Sequence, residues 1–141
     1  MRAVQLIEAR GHRKISALHR TTFEITTDDH LTPQGDCIIA VSASKGAADL
    51  SQDFRKVACN DRARITANLR VGTLCESARG FGSDAMCLDH PTDLVFRKSS
   101  YVCGRTLAIR GNLAACGISR RFVRLLQDPL TRVEVELIAE I

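Results

Sequence analysis

The chain has few aromatic residues and few of the motifs that mark a known chemistry. It has no tryptophan, one tyrosine and five phenylalanines among 141 residues, which leaves little for stacking on nucleic-acid bases. The absence of a Cys-x-x-Cys pair argues against a structural zinc site. We find no glycine-rich phosphate loop and no Ser/His/Asp signature. These absences leave the sequence without a recognisable reaction.

Long apolar segments are also absent. Charges at Arg2, Glu8 and Arg10 interrupt the first residues, so no secretory signal is expected. No run approaches the ~20 apolar residues that a membrane helix needs. We therefore expect a soluble, cytoplasmic protein with no membrane partner.

The length and the basic residues are more informative. A chain of 141 residues that is 45% hydrophobic can form one domain, 1–141, with its own core. The net charge of +4 permits an anionic partner without requiring one. Only four of the 20 basic residues are lysines. Because guanidinium groups suit both carboxylates and phosphates, this excess of arginine favours ion-pair networks first and nucleic acid second.

Six cysteines are spread along the chain at positions 37, 59, 75, 87, 103 and 116. Buried free thiols are the expectation, since cytosolic disulfides are unusual outside hyperthermophiles. The glycine-rich segment 79–84 is expected to join two strands, 74–78 and 86–98, as a hairpin. If it does, Cys75 and Cys87 would be the most favourable disulfide pair.

The clearest local pattern runs from Asp36 to Asn60. The apolar run Cys37–Val41 predicts a buried strand, and Ser44 can cap a helix after it. A similar unit spans 105–128, with Asn112 as the predicted cap. The predicted core faces of the two helices are Ala47, Leu50, Phe54, Val57 and Ala58, and then Ala115, Ile118, Phe122, Leu125 and Leu126.

An internal repeat relates these two units. A shift of 68 residues places Ala40 on Ala108, Phe54 on Phe122 and Arg64 on Arg132, and a slightly larger shift places His19 on His90. Chance similarity of two periodic segments is the alternative explanation.

From this repeat we predict an α+β fold that is predominantly β, built from two fused βββαβ repeats of about 1–70 and 71–141. The strands would form a mixed sheet or a partly closed barrel, with two helices packed on it. Each half is expected to contain a hairpin, a third strand, a helix and a fourth strand. The first hairpin would turn at Gly11-His12, and the segment Thr32-Pro33-Gln34-Gly35 would form the next turn.

Four segments carry a family likeness: GH at 11–12, HRTTFEIT at 19–26, LTPQGDCIIAVSASKGAADL at 31–50 and RTLAI at 105–109. They resemble an archaeal family of about this length that is catalogued as a domain of unknown function, DUF371. The resemblance covers nearly the whole chain. It implies an archaeal, cytoplasmic protein with a mostly β fold, and it supplies no activity, cofactor or site residue.

The first candidate site contains histidines. Alternation places His19 and His90 with the apolar residues that follow them, which favours core histidines hydrogen-bonded to a nearby threonine or to the backbone. The sharper hypothesis is a paired site, joined by His12, that holds an anion, a metal or a proton. Lys45 at the predicted helix start and Asp36 complete this ligand-binding set. For the acidic loop at 28–30 we favour solvation over metal binding, so no metal site is predicted.

The second candidate site contains arginines. Arg120, Arg121 and Arg124 lie on the outer side of the second predicted helix, and Arg105 and Arg110 precede it. Like charges at this spacing destabilise a helix by ~0.2–0.5 kcal/mol per pair, so a compensating negative group is expected. RNA phosphates and the outward glutamates of the last strand are equally good explanations.

Two functional hypotheses follow. The preferred one is a non-catalytic binding protein that contacts RNA or another polyanion through the arginine-bearing helix. The alternative is a small-molecule or metal-binding enzyme whose histidine-lined site lies between the two repeats. The substrate, the cofactor and the oligomeric state are left open by the sequence.

Overall fold

The computed structural model describes residues 1–32 and 34–141. Strands β1–β8 span Arg2–Arg10, Thr22–Thr26, Ile38–Ala40, Arg64–Val71, Leu74–Phe81, Asp93–Arg97, Thr106–Ala108 and Arg132–Glu140. Helices α1 and α2 span Gln52–Ala58 and Arg120–Leu126, and short 3₁₀ turns at Ala47–Asp49 and Ala115–Gly117 precede them. Pro33, part of the predicted turn at 32–35, lies outside the described residues.

The strands form two sheets of four. The antiparallel sheet has the order β1-β8-β4-β5, and the mixed sheet has the order β3-β2-β6-β7. In the mixed sheet β2 and β6 are antiparallel, while β3 and β7 are parallel to their neighbours. Isolated bridges from Arg10 to Val41 and from Phe81 to Ile109 link the sheets, but within the described residues neither sheet closes into a barrel. The predicted α+β class with mostly β structure is confirmed.

The hairpin predicted at the start of each half does not form, so both predictions are wrong. β1 pairs with β8 and β2 with β6, so β1 and β2 belong to different sheets. In the same way β5 pairs with β4, and β6 lies in the other sheet. The predicted turn at Gly11 instead packs against the end of α2, where a Cβ on Gly11 would overlap the carbonyl oxygens of Leu126 and Asp128. Glycine is therefore needed there for close approach of two backbones, and it does not close a hairpin.

Both helices begin later than predicted because the expected caps have other partners. The Ser44 hydroxyl accepts a hydrogen bond from the backbone N–H of Glu8, at 3.0 Å, and Asn112 Oδ1 accepts one from Arg79, at 2.8 Å. Extended backbone at Leu50, with φ −66° and ψ 145°, separates the 3₁₀ turn from α1. Ser51 then caps α1 and Ser119 caps α2, each by accepting from a phenylalanine N–H three residues later.

The core contains most of the residues that the sequence assigned to it. Phe54 and Phe122 are 0% and 1% exposed, and the inward side chains of β4 and β8 are buried in alternation. Phe23 and Phe96 stack beneath the β2–β6 pair, with ring centroids 5.0 Å apart. Among the predicted core residues of the two helices Leu125 is the exception, because it is 41% exposed on α2.

Candidate functional site

The two histidines of the predicted paired site are not in strands. His19 precedes β2 and His90 precedes β6, so the two imidazoles lie at opposite ends of this antiparallel pair. In that pair Thr22 lies opposite Arg97, so β2 and β6 begin at opposite ends. Nδ1 of His19 accepts hydrogen bonds from the backbone N–H groups of Thr21 and Thr22, both at 3.2 Å. Nδ1 of His90 accepts from Asp93, at 3.0 Å. Each imidazole is half-exposed and closes a turn, so the predicted core placement is wrong.

The other members of that set are also dispersed. Nδ1 of His12 accepts from the backbone N–H of Lys14, at 3.0 Å. Asp36 contributes its backbone carbonyl, which accepts from Leu18 and His19 at 3.0 and 3.2 Å. Lys45 is half-buried before the first 3₁₀ turn, and α1 starts seven residues further on.

The acidic loop is exposed as expected, and Nδ1 of His30 lies 3.6 Å from Oδ1 of Asp29. In the described ranges 1–32 and 34–141, no group of three or more His, Cys, Asp or Glu side chains is arranged to hold a metal ion.

Arg120, one of the five predicted polyanion contacts, is used by the fold itself. Its Nη2 lies 3.0 Å from the carbonyl oxygen of Ala17 and 2.9 Å from that of Ile118, and its Nη1 lies 3.2 Å from that of Ser16. Arg55 makes the corresponding contacts from α1, to the carbonyls of Leu50 and Leu88 among others. Each arginine thus ties a helix to the segment that precedes a strand of the mixed sheet.

Arg105 belongs to a partly buried charge cluster, which we define as Glu24, Asp93 and Arg105. Nη1 of Arg105 lies 3.1 Å from Oε1 of Glu24 and 3.2 Å from Oδ2 of Asp93. The two carboxylates are 7% and 14% exposed. Because charges taken out of water need partners, these contacts hold the segment before β7 against the outer face of the mixed sheet.

The pKa values in this region reflect burial. Burial and the neighbouring Asp93 raise the pKa of Glu24 to about 7, although Arg105 and Arg97 act in the opposite direction. Burial and the nearby Glu24 raise the pKa of the Cys37 thiol to about 11. At Arg105, burial alone would lower the pKa, but the two carboxylates raise it. Glu24 can therefore exchange a proton near neutral pH.

Cys103 lies beside the cluster, and its thiol has a lowered pKa. Nη2 of Arg97 donates to its sulfur at 3.3 Å, and the Thr106 hydroxyl donates at 3.6 Å. Burial would raise the pKa of this thiol, but hydrogen bonds from the Arg105 backbone, Thr106 and Arg97 lower it to about 7.

All six cysteines are free, but the prediction that they are buried is wrong: Cys75, Cys87 and Cys116 are exposed, and the other three are half-buried. Cys75 and Cys87, the most favourable disulfide pair in the sequence, are both exposed. They do not face each other because the hairpin that would have joined them does not form.

The roles of Glu24, Asp93 and Cys103 were not predicted from the sequence. A usable signal was present at Glu24, which lies between Phe23 and Ile25 in a strand whose five residues are all buried. A carboxylate in the middle of such a strand requires a cation or a proton. Its partner Arg105 is 81 residues away, so spacing alone could not identify it.

The remaining α2 arginines lie at the surface. Arg121, Arg124 and Arg132 line an open groove of about 800 Å³, together with Leu125, Thr131 and the β4–β5 turn at 71–74. We call this the arginine groove. The three arginines are exposed and make no ion pair with any residue in the described part of the chain.

The outward glutamates of β8 were the other predicted source of negative charge for the α2 arginines. They have other partners. Glu134 lies 3.9 Å from Arg70, Glu140 lies 3.3 Å from Arg2, and Glu136 accepts from Asn68 at 3.0 Å. Arg110, the last predicted contact, lies away from α2 and stacks on Phe81, with its Cζ 4.9 Å from the ring centroid.

No helix in the described residues is long and apolar enough to cross a membrane.

Comparison with known proteins identifies the family. The sequence model of the domain of unknown function DUF371 matches residues 7–140. The uncharacterized protein MJ0206 of Methanocaldococcus jannaschii is 42% identical over 123 residues, which are 87% of this chain and 90% of the relative. Neither description states an activity, and the family predicted from the sequence is confirmed. The chain is thus a member of the DUF371 family.

Proposed function

We propose that the protein binds RNA or another polyanion through the arginine groove. The observation that carries this proposal is that Arg121, Arg124 and Arg132 converge on one open groove without an ion-pair partner in the described residues. Arg121 and Arg124 are three residues apart on α2, so their mutual repulsion costs ~0.2–0.5 kcal/mol. A phosphate backbone lying between them would remove that cost.

The lining of the groove suits phosphate. Its charged side chains are all arginines, its hydroxyls are those of Thr73 and Thr131, and its apolar part includes the half-exposed Leu125. The Thr131 hydroxyl already donates to the carbonyl oxygen of Leu125, at 2.7 Å. Guanidinium groups form paired, directional hydrogen bonds with phosphate oxygens. An open groove whose described lining holds three arginines and no carboxylate favours an extended polyanion, which can contact several arginines at once.

The helix on the other half shows that the fold does not require this charge. α1 carries Asp53 and Lys56, at the places that correspond to Arg121 and Arg124 under the 68-residue shift. Those two residues have opposite charges at a spacing that stabilises a helix. The positive surface is therefore particular to α2.

We also infer that the two halves arose by duplication within a single domain, about 1–70 and 71–141. Strand register supports this inference: Glu24 pairs with Val95 in the mixed sheet, and Asn68 pairs with Glu136 in the antiparallel sheet. The first pair is 71 residues apart and the second is 68 residues apart. These are the two shifts that relate the sequences of the two halves, as expected for strands around a twofold axis. Gly11 and Gly82 further support it, since their N–H groups bond to Thr131 and Ala63 respectively.

Fluorescence anisotropy with a labelled single-stranded RNA at low salt tests the proposed binding. Arg124→Glu should weaken binding at least tenfold. Lys56→Glu is the matched control, because it makes the same charge change at the corresponding place on α1, and it should change binding less than twofold. Absence of binding by the natural protein, or equal losses in the two variants, would contradict the proposal.

The enzyme hypothesis stays a prediction that no contact yet favours, since His19 and His90 are held at opposite ends of one strand pair. A cytoplasmic site of action also stays a proposal. The six free thiols support it, because cytosolic reductants keep thiols reduced.

A further inference from the structure

Phe81, the last residue of β5, is exposed, whereas the other four phenylalanines are buried. The other four are at most 2% exposed, whereas Phe81 is 38% exposed on the outer face of the antiparallel sheet. The fold therefore uses four rings for its core and presents one to solvent. A single exposed ring can be incidental, so its surroundings decide whether it has a role.

Arg110 covers this ring. Its Cζ lies 4.9 Å from the ring centroid, and its backbone has φ +49°, a left-handed conformation that is unfavourable for a residue with a Cβ. The backbone on both sides is fixed, because Phe81 and Ile109 exchange two hydrogen bonds of 2.9 Å and Asn112 donates to Arg79 at 2.9 Å. The aromatic ring and the guanidinium are thus held by strand-like pairing between β5 and the end of β7.

Two more arginines lie beside the ring. Arg64 is directly opposite Phe81 in the β4–β5 pair, and Arg79 is two residues before it on β5. Both are exposed, and neither makes an ion pair with a residue that the structure describes. Arg64, Arg79, Phe81 and Arg110 line a groove of about 440 Å³ that also includes Asn112 and Glu140. Glu140 is already paired with Arg2 at 3.3 Å.

We propose that Phe81 and Arg110 form a stacking subsite for one base of single-stranded RNA, with Arg64 and Arg79 holding the adjoining phosphates. Bases stack on aromatic rings and on guanidinium planes, and arginines beside such a platform attract the backbone. This inference rests on the proposed polyanion binding and narrows the ligand to one that carries bases.

The corresponding groove of the other half lacks these features. It is lined by Glu8, Arg10, Ser42, Arg132 and neighbouring residues. Under the shifts that relate the two halves, Arg10 corresponds to Phe81, Ser42 to Arg110 and Glu8 to Arg79. The aromatic ring and its stacked guanidinium are therefore additions to the fold, and Glu8 replaces a cation by an anion.

The test compares two probes, an oligoadenylate RNA and inorganic polyphosphate of similar charge. Phe81→Leu keeps apolar bulk and removes the ring, so binding of the RNA should weaken about 5- to 100-fold, as expected for loss of one stacked base. Binding of polyphosphate should change less than twofold, because that polymer has no bases. Phe81→Tyr should bind both probes like the natural protein.

Tyr101→Leu is the matched control. Tyr101 is 62% exposed and also has an arginine over its ring, since Cζ of Arg97 lies 5.0 Å from the ring centroid. That guanidinium, however, already donates hydrogen bonds to Thr106 and Cys103. This variant should bind both probes normally.

Three results would overturn the inference. If Phe81→Leu binds RNA as the natural protein does while both bind polyphosphate, the stacking subsite is wrong and the proposed polyanion binding stands. If Phe81→Leu weakens both probes equally, the loss is not specific to bases. If the natural protein binds neither probe, both proposals fail.

Discussion

Nη1 of Arg105 lies 3.1 Å from Oε1 of Glu24, a residue 81 positions earlier in the chain. The same nitrogen lies 3.2 Å from Oδ2 of Asp93, so one edge of a guanidinium faces two largely buried carboxylates. This arrangement links the two halves of the chain across the outer face of the mixed sheet. It also makes stability depend on the proton that Glu24 can bind.

Stability should fall with rising pH because of Glu24. Its pKa is about 7 in the folded protein against an ordinary value of 4.5, so between these values the folded state holds the proton more tightly than the unfolded chain. The free energy of unfolding therefore decreases as pH rises through this window and levels off above it, by at most about 3 kcal/mol.

Glu24→Gln removes this titration and should flatten the dependence. Urea denaturation of both proteins at pH 5 and pH 8 measures the difference. Identical pH dependence in the two proteins would show that Glu24 does not titrate in this range.

Arg105→Met should destabilise the protein strongly, because Glu24 and Asp93 would lose the guanidinium that faces them. Removing one partner of a buried ion pair costs about 3–5 kcal/mol, and the low end applies here because the Arg105 side chain is 42% exposed. The loss should be smaller at pH 5, where Glu24 is protonated. Arg110→Met is the control and should cost about 0.5–1 kcal/mol, the value of an exposed cation–π contact. Equal losses in the two variants would contradict the assignment.

Arg120 and Arg121 should separate stability from binding, although they are neighbours on α2. Arg120→Met removes a guanidinium that donates to several backbone carbonyls, and hydrogen bonds from a charged group contribute about 1.5–3 kcal/mol. Arg121→Met should change stability by less than about 0.5 kcal/mol, as exposed substitutions usually do, and should weaken RNA binding. Thermal denaturation and anisotropy on both variants measure these effects. A stable Arg120→Met protein that has lost binding would reverse the two roles.

Cys103 should react with iodoacetamide at lower pH than the other five thiols. Its pKa is about 7, so about half of it is thiolate at neutral pH, and the thiolate is the reactive form. Arg97→Met should shift its reactivity to higher pH, because one of the hydrogen bonds to the sulfur is lost. Mass spectrometry of protein alkylated for short times between pH 6 and 9 gives the midpoint for each cysteine. Uniform labelling of all six would show that Cys103 is not activated.

Local patterns in the sequence predicted the core well. Phe54, Phe122 and the alternating residues of β4 and β8 are buried as their periodicity indicated, because the period of a side-chain pattern reflects burial directly. The strand partners were not predictable in the same way. The expected hairpin at Gly11 required a turn, whereas that glycine serves a close approach between two backbones far apart in the chain.

For the candidate sites as well, the exposure of a side chain was predictable from the sequence, whereas its partners were not. The exposure of Arg121 and Arg124 followed from helical spacing, and the structure adds Arg132 to them. The roles of Arg120, Arg105 and the histidines depend on carbonyls and carboxylates that only the folded chain places nearby. The number of charges on a helix can be read from the sequence, but the groups that they contact cannot.

The dependence of RNA affinity on salt tests the arginine groove most directly. Each phosphate contact on a single strand contributes about −0.7 to the slope of log affinity against log salt concentration. If Arg121, Arg124 and Arg132 each neutralise one phosphate, replacing all three by methionine should make the slope shallower by about 2 units. An unchanged slope in the triple variant, or affinity in the natural protein that does not respond to salt, would show that these arginines do not bind phosphates.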